Sequence, residues 1–251
     1  MISGRRNFIK FALLAAFAGV ISITAYIFGK PQLERLISKN KSDSGFKVFG
    51  DKIKMPPPKL KGEMSVEEAI ARRRSRRDYK EDPLKLEELS NLLWAAQGIT
   101  EPINKLRAAP SAGATYPLEV YVVIRKGGVE ELSEGVYHYN PFEHILEKHI
   151  EGDLSVELSS AAVSQQWVRD AALNIILTAI NERTTERYGQ RGIRYIHMEI
   201  GHVGENIYLQ AESQNLGAVV IGAFYDDWIQ KLLSLSENEN PLYIIAIGRP
   251  S

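Results

Sequence analysis

The stretch Ala172-Leu173-Asn174-Ile175-Ile176-Leu177-Thr178-Ala179-Ile180 is apolar along almost its whole length. A run of this kind is typical of a strand that is buried on both faces of a sheet. Ala218–Ala223 and Leu242–Gly248 have the same character and predict two more buried strands, separated by a short helix that begins at Asp226. The C-terminal half of the chain is therefore predicted to build the centre of a sheet.

Hairpin strands are predicted on the N-terminal side of this run. Leu118–Arg125 is strand-like and ends at Gly127-Gly128. Val136–Tyr139 and Ile145–Ile150 predict two short strands around the turn residues Asn140-Pro141.

Helices are predicted between the strands. Ser65 and Glu68 have the spacing of a capping box at a helix start. Two series of apolar residues recur at helical spacing. These are Leu86, Leu89, Leu92 and Leu93, ended by Gly98, and Ile196, Ile200, Val203 and Ile207, which form the stripe of a long helix. Helices intermixed with hairpin strands predict an α+β fold.

The segment 1–29 is a predicted export signal or membrane anchor. Phe11 to Phe28 is an apolar run, and its eighteen residues would extend about 27 Å as a helix, close to the thickness of a bilayer's hydrocarbon core. Arg5-Arg6-Asn7-Phe8-Ile9-Lys10 resembles the twin-arginine export motif but departs from it at Gly4, where that motif has Ser or Thr. The alternative is a Sec-type start anchor with a basic flank. An uncleaved anchor is favoured over a removed signal, and the positive-inside rule places the rest of the chain on the extracytoplasmic face of the membrane.

The rest of the chain divides into a linker over 30–61 and a folded domain over 62–251. The linker contains Pro56-Pro57-Pro58 and has no periodic apolar face, which is typical of a semi-rigid tether. Lys plus Arg and Asp plus Glu number 31 each among the 251 residues, so the balanced charge does not favour nucleic acid as a partner. The absence of cysteine excludes disulfides, thiolate nucleophiles and iron–sulfur clusters.

The segment Arg72–Arg77, called the arginine segment below, contains five arginines around Ser75. Guanidinium groups bind phosphate bidentately, and a serine hydroxyl adds a neutral donor. Like charges held this close are costly unless an anion lies among them. The segment predicts either a site for a phosphate-bearing ligand or an exposed basic patch.

Two further segments have the composition of ligand-binding loops. The segment Arg107–Pro117, called the proline loop below, holds small residues between two prolines, so that a flat ligand could approach its backbone. Gly222 and Ala223 follow a predicted buried strand, where accessible backbone N–H groups often contact ligands. A plain connecting loop and ordinary sheet packing are the respective alternatives.

The three segments together resemble the nitroreductase superfamily. The resemblance rests on Arg73-x-Ser75-x-Arg77 followed by Tyr79, then Pro110-Ser111-Ala112-Gly113, then Gly222-Ala223-Phe224. It is closest to the SagB-type dehydrogenase branch and covers about residues 62–251. That branch is also resembled by Leu92–Gly98, Arg187–Gly192, Gly201–Asn206 and Gly248-Arg249-Pro250.

The resemblance implies a nitroreductase-like α+β fold with a mixed or antiparallel central sheet flanked by helices. It also implies a long helix over Ile196–Ser213 at a homodimer interface, and an FMN that is bound there non-covalently and transfers hydride through flavin N5. The implied FMN-binding residues are Arg73, Arg74, Ser75 and Arg77 at the phosphate and ribityl chain; Pro110, Ser111, Ala112 and Gly113 from the other subunit; Gly222 and Ala223 at N5; and Arg249 as a further phosphate contact.

Arg187 and Tyr188 are the implied catalytic residues. Azoline-oxidising members of the branch carry a Lys-Tyr pair at this place. An arginine stays protonated where a lysine could act as a base, so the departure argues against oxidation of peptide azolines. Tyr188 could still serve as an acid or base, and the substrate is a small molecule or a peptide.

The function implied is an FMN-dependent oxidoreductase acting outside the cytoplasmic membrane. NAD(P)H is scarce there, which favours oxidation of an organic substrate with oxygen or a quinone as the acceptor. The alternatives are an NAD(P)H-dependent nitroreductase or quinone reductase, and a membrane-tethered flavin-binding protein without turnover.

The histidines do not predict a metal site. His197 and His202 lie five residues apart on a helix, so their side chains point about 140° away from each other. His138, His144 and His149 fall in the predicted hairpin strands and are expected at the surface.

Overall fold

The structure, a computed structural model, describes residues 50–251. The predicted export segment 1–29 and most of the predicted linker lie outside the described residues. Within 50–251, no helix is both long and apolar enough to cross a bilayer.

An antiparallel sheet forms the centre of the fold. Its strands are β1 (Lys52–Lys54), β2 (Tyr79–Lys80), β5 (Leu118–Ile124), β6 (Gly135–Asn140), β7 (Ile145–Glu151), β8 (Leu173–Ile180), β9 (Gly217–Ile221) and β10 (Glu239–Pro250). They lie in the order β1–β7–β6–β5–β8–β10, and β10 pairs further with β9 and β2. A separate two-stranded ribbon comprises β3 (Ile99–Glu101) and β4 (Leu106–Arg107). The predicted α+β class with an antiparallel sheet is confirmed.

β8 is the strand predicted from the long apolar run, and it lies between β5 and β10. Successive side chains of a strand point to opposite faces. Leu173, Ile175 and Leu177 belong to the main hydrophobic core, whereas Ile176 and Thr178 are fully buried on the other face. Coverage on both faces is the reason that this strand has so few polar residues.

Helices cover the sheet. They are α1 (Val66–Arg72), α2 (Leu86–Gln97), α3 (Ser155–Ala161), α4 (Gln166–Asp170), α5 (Glu182–Tyr188), α6 (Arg191–Ser213) and α7 (Asp226–Leu232). α2 and α6 pack against each other, and α6 also contacts β9 and β10. α3 packs on α4 and α7, and α7 contacts β10.

The helix boundaries follow the local signals in the sequence. The Ser65 hydroxyl accepts a hydrogen bond from the Glu68 N–H (3.1 Å), which caps α1. The Gly98 N–H donates to the Trp94 carbonyl (2.8 Å) at the end of α2. The predicted stripe of α6, from Ile196 to Ile207, is buried. The helix start at Ser65, the helix end at Gly98 and the buried stripe are confirmed. Of the capping box only the Ser65 half is present, because the Glu68 carboxylate pairs with Arg72 (3.0 Å).

The part of the predicted linker that the structure describes is attached to the domain. β1 pairs with β7 in the main sheet. The Ser90 hydroxyl donates to the Pro56 carbonyl (2.5 Å), and the Lys59 N–H donates to the side-chain oxygen of Asn91 (2.8 Å). The domain therefore begins before residue 62. The sequence does not show this because β1 has only three residues, too few for an apolar pattern, and is defined by its pairing with β7.

The expectation that three histidines lie at the surface is wrong. His138 Nε2 lies 2.7 Å from the Glu119 carboxylate, and the side chain is only 15% exposed. His144 Nδ1 lies 2.8 Å from the Tyr139 hydroxyl, and His149 Nε2 lies 2.7 Å from the Leu233 carbonyl. All three side chains are half-buried. Their partners come from neighbouring strands or from a distant loop, so the local sequence does not reveal the burial.

Candidate functional site

The arginine segment is held between β9 and α6. The Arg76 N–H donates to the Ala218 carbonyl (2.9 Å), and Ser75 forms a parallel bridge with the same residue. The Ser75 hydroxyl lies 3.0 Å from that of Tyr208, which accepts a hydrogen bond from the Val220 N–H (2.9 Å). The chain from α1 into β2 is thereby fixed along the edge of β9.

Two of the five arginines make structural ion pairs. Arg72 Nε and Arg76 Nη2 lie 3.5 and 3.2 Å from the Glu212 carboxylate on α6. Arg72 also pairs with Glu68 (3.0 Å). Glu212 is only 5% exposed, so these two guanidinium groups neutralise a buried charge.

The other three arginines have no carboxylate partner among the described residues. The Arg73 guanidinium lies 5.0 Å from the ring centre of Tyr208, and that of Arg77 lies 5.3 Å from the ring of Trp167. Arg74 donates only to backbone carbonyls of its own turn. Arg73, Arg74 and Arg77 are thus the members of the arginine segment that are available to an anion.

Gly222 and Ala223 leave their backbone accessible at the end of β9. Both residues are exposed, and a Cβ at Gly222 would meet no atom within 4 Å. The Ala223 carbonyl accepts a hydrogen bond from the Gln165 side chain (3.0 Å). Neither backbone N–H donates to another described residue, so both can donate to a ligand.

The proline loop is ordered by its own side chains. The Tyr116 N–H donates to the Ser111 hydroxyl (3.0 Å), and the Arg107 guanidinium lies 4.5 Å from the Tyr116 ring centre. Thr115 is linked to Thr184 of α5 through their hydroxyls (2.8 Å). The loop is therefore a fixed structure, whose exposed residues include Pro110 and Gly113.

Arg187 and Tyr188 meet the proline loop at Gly113. Arg187 Nη1 donates to the Gly113 carbonyl (3.1 Å). Gly113 has a φ of +60°, and a Cβ there would lie 2.5 Å from the Tyr188 hydroxyl and 2.7 Å from Arg187 Nη1. The backbone conformation favours glycine at this position, and an added Cβ would displace the ends of both side chains. The structure thus brings the predicted catalytic pair to the predicted flavin-contacting loop.

The arginine segment and the proline loop meet different turns of α6. The arginine segment contacts Tyr208, whereas Ser111 of the proline loop lowers the pKa of Glu199. Nine residues separate these positions, or about 13 Å along the helix axis.

The chain is similar to known proteins over most of its length. A family model described as the Nitroreductase family matches residues 70–249. A candidate nitroreductase of Methanocaldococcus jannaschii is 43% identical over 201 residues, which cover 80% of this chain and 98% of that protein. The chain belongs to the nitroreductase family. Its members are oxidoreductases, and the resemblance drawn from the sequence to the superfamily is confirmed.

Two further similarities are to a solved structure and to a microcin-processing protein. The crystal structure of a candidate nitroreductase from Ralstonia eutropha superposes with a TM-score of 0.70 at 31% identity, covering 80% of this chain and 90% of that one. The microcin B17-processing protein McbC of Escherichia coli is 27% identical over 157 residues, which are 61% of this chain and 58% of that protein.

Arg249 forms an ion pair with Glu88 within the domain. Its Nη1 and Nη2 atoms donate to the two Glu88 carboxylate oxygens at 2.9 and 2.8 Å, a bidentate pair that ties the end of β10 to α2. The phosphate contact predicted for Arg249 would have to use its remaining N–H groups or replace this pair.

Glu199 is a residue of the site that the sequence interpretation missed. It is 2% exposed on α6, and burial raises its pKa to about 7, although Ser111, Arg107 and Gln97 all lower it. A signal was present, since Glu199 lies three residues after Ile196 and four before Val203, inside the apolar stripe.

A second buried polar group was also missed. Arg183 of α5 pairs with Glu119 of β5 (2.6 Å), and Glu119 also contacts His138. Burial alone would raise the pKa of Glu119. The hydrogen bonds and charges of His138 and Arg183 outweigh this effect, so the pKa of Glu119 lies below its usual value. This ion-pair network joins α5, which carries the Arg187-Tyr188 pair, to the sheet.

Proposed function

We propose that this nitroreductase-family protein is an FMN-dependent oxidoreductase, with Arg73, Arg74, Arg77 and Ser75 binding the FMN phosphate and ribityl chain. The observation that carries the proposal is the division of the arginine segment. Two guanidinium groups neutralise Glu212, whereas three adjacent ones have no carboxylate partner among residues 50–251. Three unneutralised cations beside a hydroxyl are suited to a dianionic phosphate.

The other residues of the site fit a flat, electron-rich ring. The free N–H groups of Gly222 and Ala223 supply donors at one end of the site, as an FMN ring with N and O acceptors requires. FMN supplies the redox chemistry when it is bound, and the protein supplies orientation and hydrogen bonds. We infer that Tyr188 holds or moves a proton at its hydroxyl, while Arg187 keeps the Gly113 carbonyl and hence the proline loop in place.

A homodimer is supported by two exposed apolar side chains that line a groove beside α6. A groove of about 710 Å³ runs between α1, α2 and α6. Leu60 and Val66 line it and are 74% and 65% exposed, which is unusual for large apolar side chains. We infer that a second copy of the chain covers this face and contributes its proline loop to the FMN site.

The substrate is proposed to be an organic molecule other than a peptide azoline. The similarity to McbC supports the SagB-type branch. The guanidinium group of Arg187 donates to the Gly113 carbonyl and has no acceptor atom, so it is unsuited to act as a base. The twin-arginine-like segment supports a site of action outside the cytoplasmic membrane, with oxygen or a quinone as the electron acceptor.

The decisive experiment compares FMN affinity among three proteins. The double variant Arg73→Ala with Ser75→Ala loses a phosphate-binding cation and a hydroxyl donor, so its FMN Kd is expected to rise well over about tenfold. Arg72→Ala is the matched control. It removes an arginine from the same segment that pairs with Glu212 and Glu68, and its FMN Kd is expected to stay within about threefold of wild type.

Fluorescence titration with FMN gives the Kd, and gel filtration with light scattering gives the oligomeric state. Equal Kd values for the double variant and wild type would place the phosphate elsewhere. Anaerobic stopped-flow reduction with NADH, NADPH and a quinol then separates the functions. Fast reduction by NAD(P)H with turnover of nitroaromatics would favour a conventional nitroreductase, and no reduction by any donor or substrate would favour a flavin-binding protein without turnover.

A further inference from the structure

A cavity of about 420 Å³ lies between the proline loop, β5 and the turn that joins β6 to β7. This volume is within the range of about 300–1,000 Å³ that is typical of small-molecule sites. The residues that line the cavity include no member of the arginine segment, and they do not include Gly222, Ala223 or Tyr188. The cavity is therefore distinct from the proposed phosphate-binding and catalytic residues.

Arg107 is a half-buried cation of this cavity that has no ion-pair partner among the described residues. The other charged side chains of the lining pair with each other, since the Glu119 carboxylate lies 2.6 Å from Arg183 and 2.7 Å from His138. Glu119 and Glu199 influence Arg107, but no carboxylate oxygen of residues 50–251 lies within 4 Å of its nitrogen atoms. Burying a guanidinium group without a close counter-charge is costly, and a bound anion would offset that cost.

The donor groups beside this cation are incompletely paired. Arg107 Nη1 donates to the side-chain oxygen of Gln97 (2.9 Å), so the two side chains lie together in the cavity wall. Arg107 Nε is buried and has no hydrogen-bond partner within residues 50–251, and the same is true of Gln97 Nε2. Buried polar groups almost always have partners. The planar fork of a guanidinium group matches the two oxygens of a carboxylate, which makes a carboxylate a suitable partner here.

Aromatic rings hold Arg107 and supply an apolar surface next to it. Its guanidinium carbon lies 4.5 Å from the ring centre of Tyr116 and 5.5 Å from that of Phe142. The Tyr116 hydroxyl accepts a hydrogen bond from the Arg107 N–H (3.1 Å), which orders the chain at Arg107. Phe142 lines the cavity and is 59% exposed, so its ring is available to the apolar part of a ligand.

We propose that this cavity binds a small organic monocarboxylate, with Arg107 binding the carboxylate and Phe142 contacting the apolar body of the molecule. One guanidinium group without a counter-charge matches a single negative charge, whereas a phosphate dianion would require a second such cation. The proposal does not rest on the proposed function, because the cavity contains none of the residues assigned to the FMN phosphate.

The test uses fluorine NMR of the full-length protein, with para-fluorobenzoate as the probe and para-fluorobenzamide as its neutral counterpart. Both probes are titrated with and without saturating FMN. Arg107→Gln removes the cation, and Phe142→Ala removes the apolar contact. Ile103→Ala is the matched control for Phe142→Ala, because Ile103 is 89% exposed and does not line the cavity. The double variant Arg73→Ala with Ser75→Ala is the control for binding at the arginine segment.

Wild type is expected to bind para-fluorobenzoate at least about tenfold more tightly than para-fluorobenzamide, whether or not FMN is present. Arg107→Gln is expected to reduce this preference to less than about threefold. Phe142→Ala is expected to weaken the binding of both probes by about fivefold. Ile103→Ala and the double variant are expected to keep the wild-type affinities.

No binding of either probe to wild type, or equal affinities for the two, would overturn the proposal. An unchanged preference in Arg107→Gln would do so as well, because a merely structural change would weaken both probes alike. Binding that FMN displaces, or that the double variant abolishes, would place the probe at the arginine segment instead. Phe142→Ala decides the matter if Arg107→Gln does not fold, since unchanged probe affinities in Phe142→Ala would also overturn the proposal.

Discussion

Replacing Glu199 with glutamine removes an acidic group that ionises near neutral pH inside the folded chain. Burial raises the pKa of Glu199 from its ordinary value of 4.5 to about 7, against the lowering effects of Ser111, Arg107 and Gln97. At a pH between these two pKa values, the folded chain holds up to one more proton on residue 199 than the unfolded chain does. The free energy of unfolding therefore falls as the pH rises through this window, by about 3 kcal/mol in total.

Glutamine resembles the protonated glutamate, so the variant is expected to match wild type at about pH 4.5 and below. At pH 8 it is expected to be more stable than wild type by about 2–3 kcal/mol. Other titratable groups, such as His138, are common to both proteins, so their effects cancel in the difference.

Urea denaturation of the flavin-free protein at several pH values, followed by circular dichroism, measures the free energy of unfolding. The exposed Glu205 on the same helix supplies the control, and Glu205→Gln is expected to change stability by less than about 0.5 kcal/mol at each pH. A stability difference between Glu199→Gln and wild type that is the same at pH 4.5 and pH 8 would refute the reasoning.

Three further predictions follow from the site and the N-terminal segment. Gly113→Ala is expected to slow catalysis by displacing the Arg187-Tyr188 pair. Gly127→Ala is the control, because Gly127 has a φ of +67° but no atom within 4 Å of an added Cβ, so the variant carries only a backbone strain of about 1–2 kcal/mol. Equal catalytic rates in the two variants would contradict the contact at Gly113. Arg249→Ala is expected to lower the free energy of unfolding by about 1 kcal/mol by leaving Glu88 unpaired, with the FMN Kd changed less than about threefold. A loss of FMN affinity beyond tenfold would instead support its phosphate role. Arg5→Lys with Arg6→Lys is expected to keep the protein in the cytoplasm in a protease-accessibility assay, and normal export would assign the segment to Sec.

The sequence by itself determined the class of fold and indicated the candidate binding segments. Strands such as Leu173–Ile180 and the stripe of α6 are visible because burial on a given face imposes a period of 2 or 3.6 on apolar residues. Ser65 and Gly98 mark helix ends through hydrogen bonds made within one turn. These signals are local, so they need no knowledge of the rest of the chain.

Only the tertiary structure decided which charged residues are available for function. Arg76 and Arg77 are neighbours in the sequence, but Arg76 pairs with Glu212, 136 residues away, and Arg77 pairs with no carboxylate in the described part of the chain. Arg249 is paired in the same way with Glu88, 161 residues away. The pKa of Glu199 likewise depends on Gln97, Arg107 and Ser111, which come from three other elements. Charge interactions act through space and depend on burial, so the order of residues along the chain does not contain them until the chain has folded.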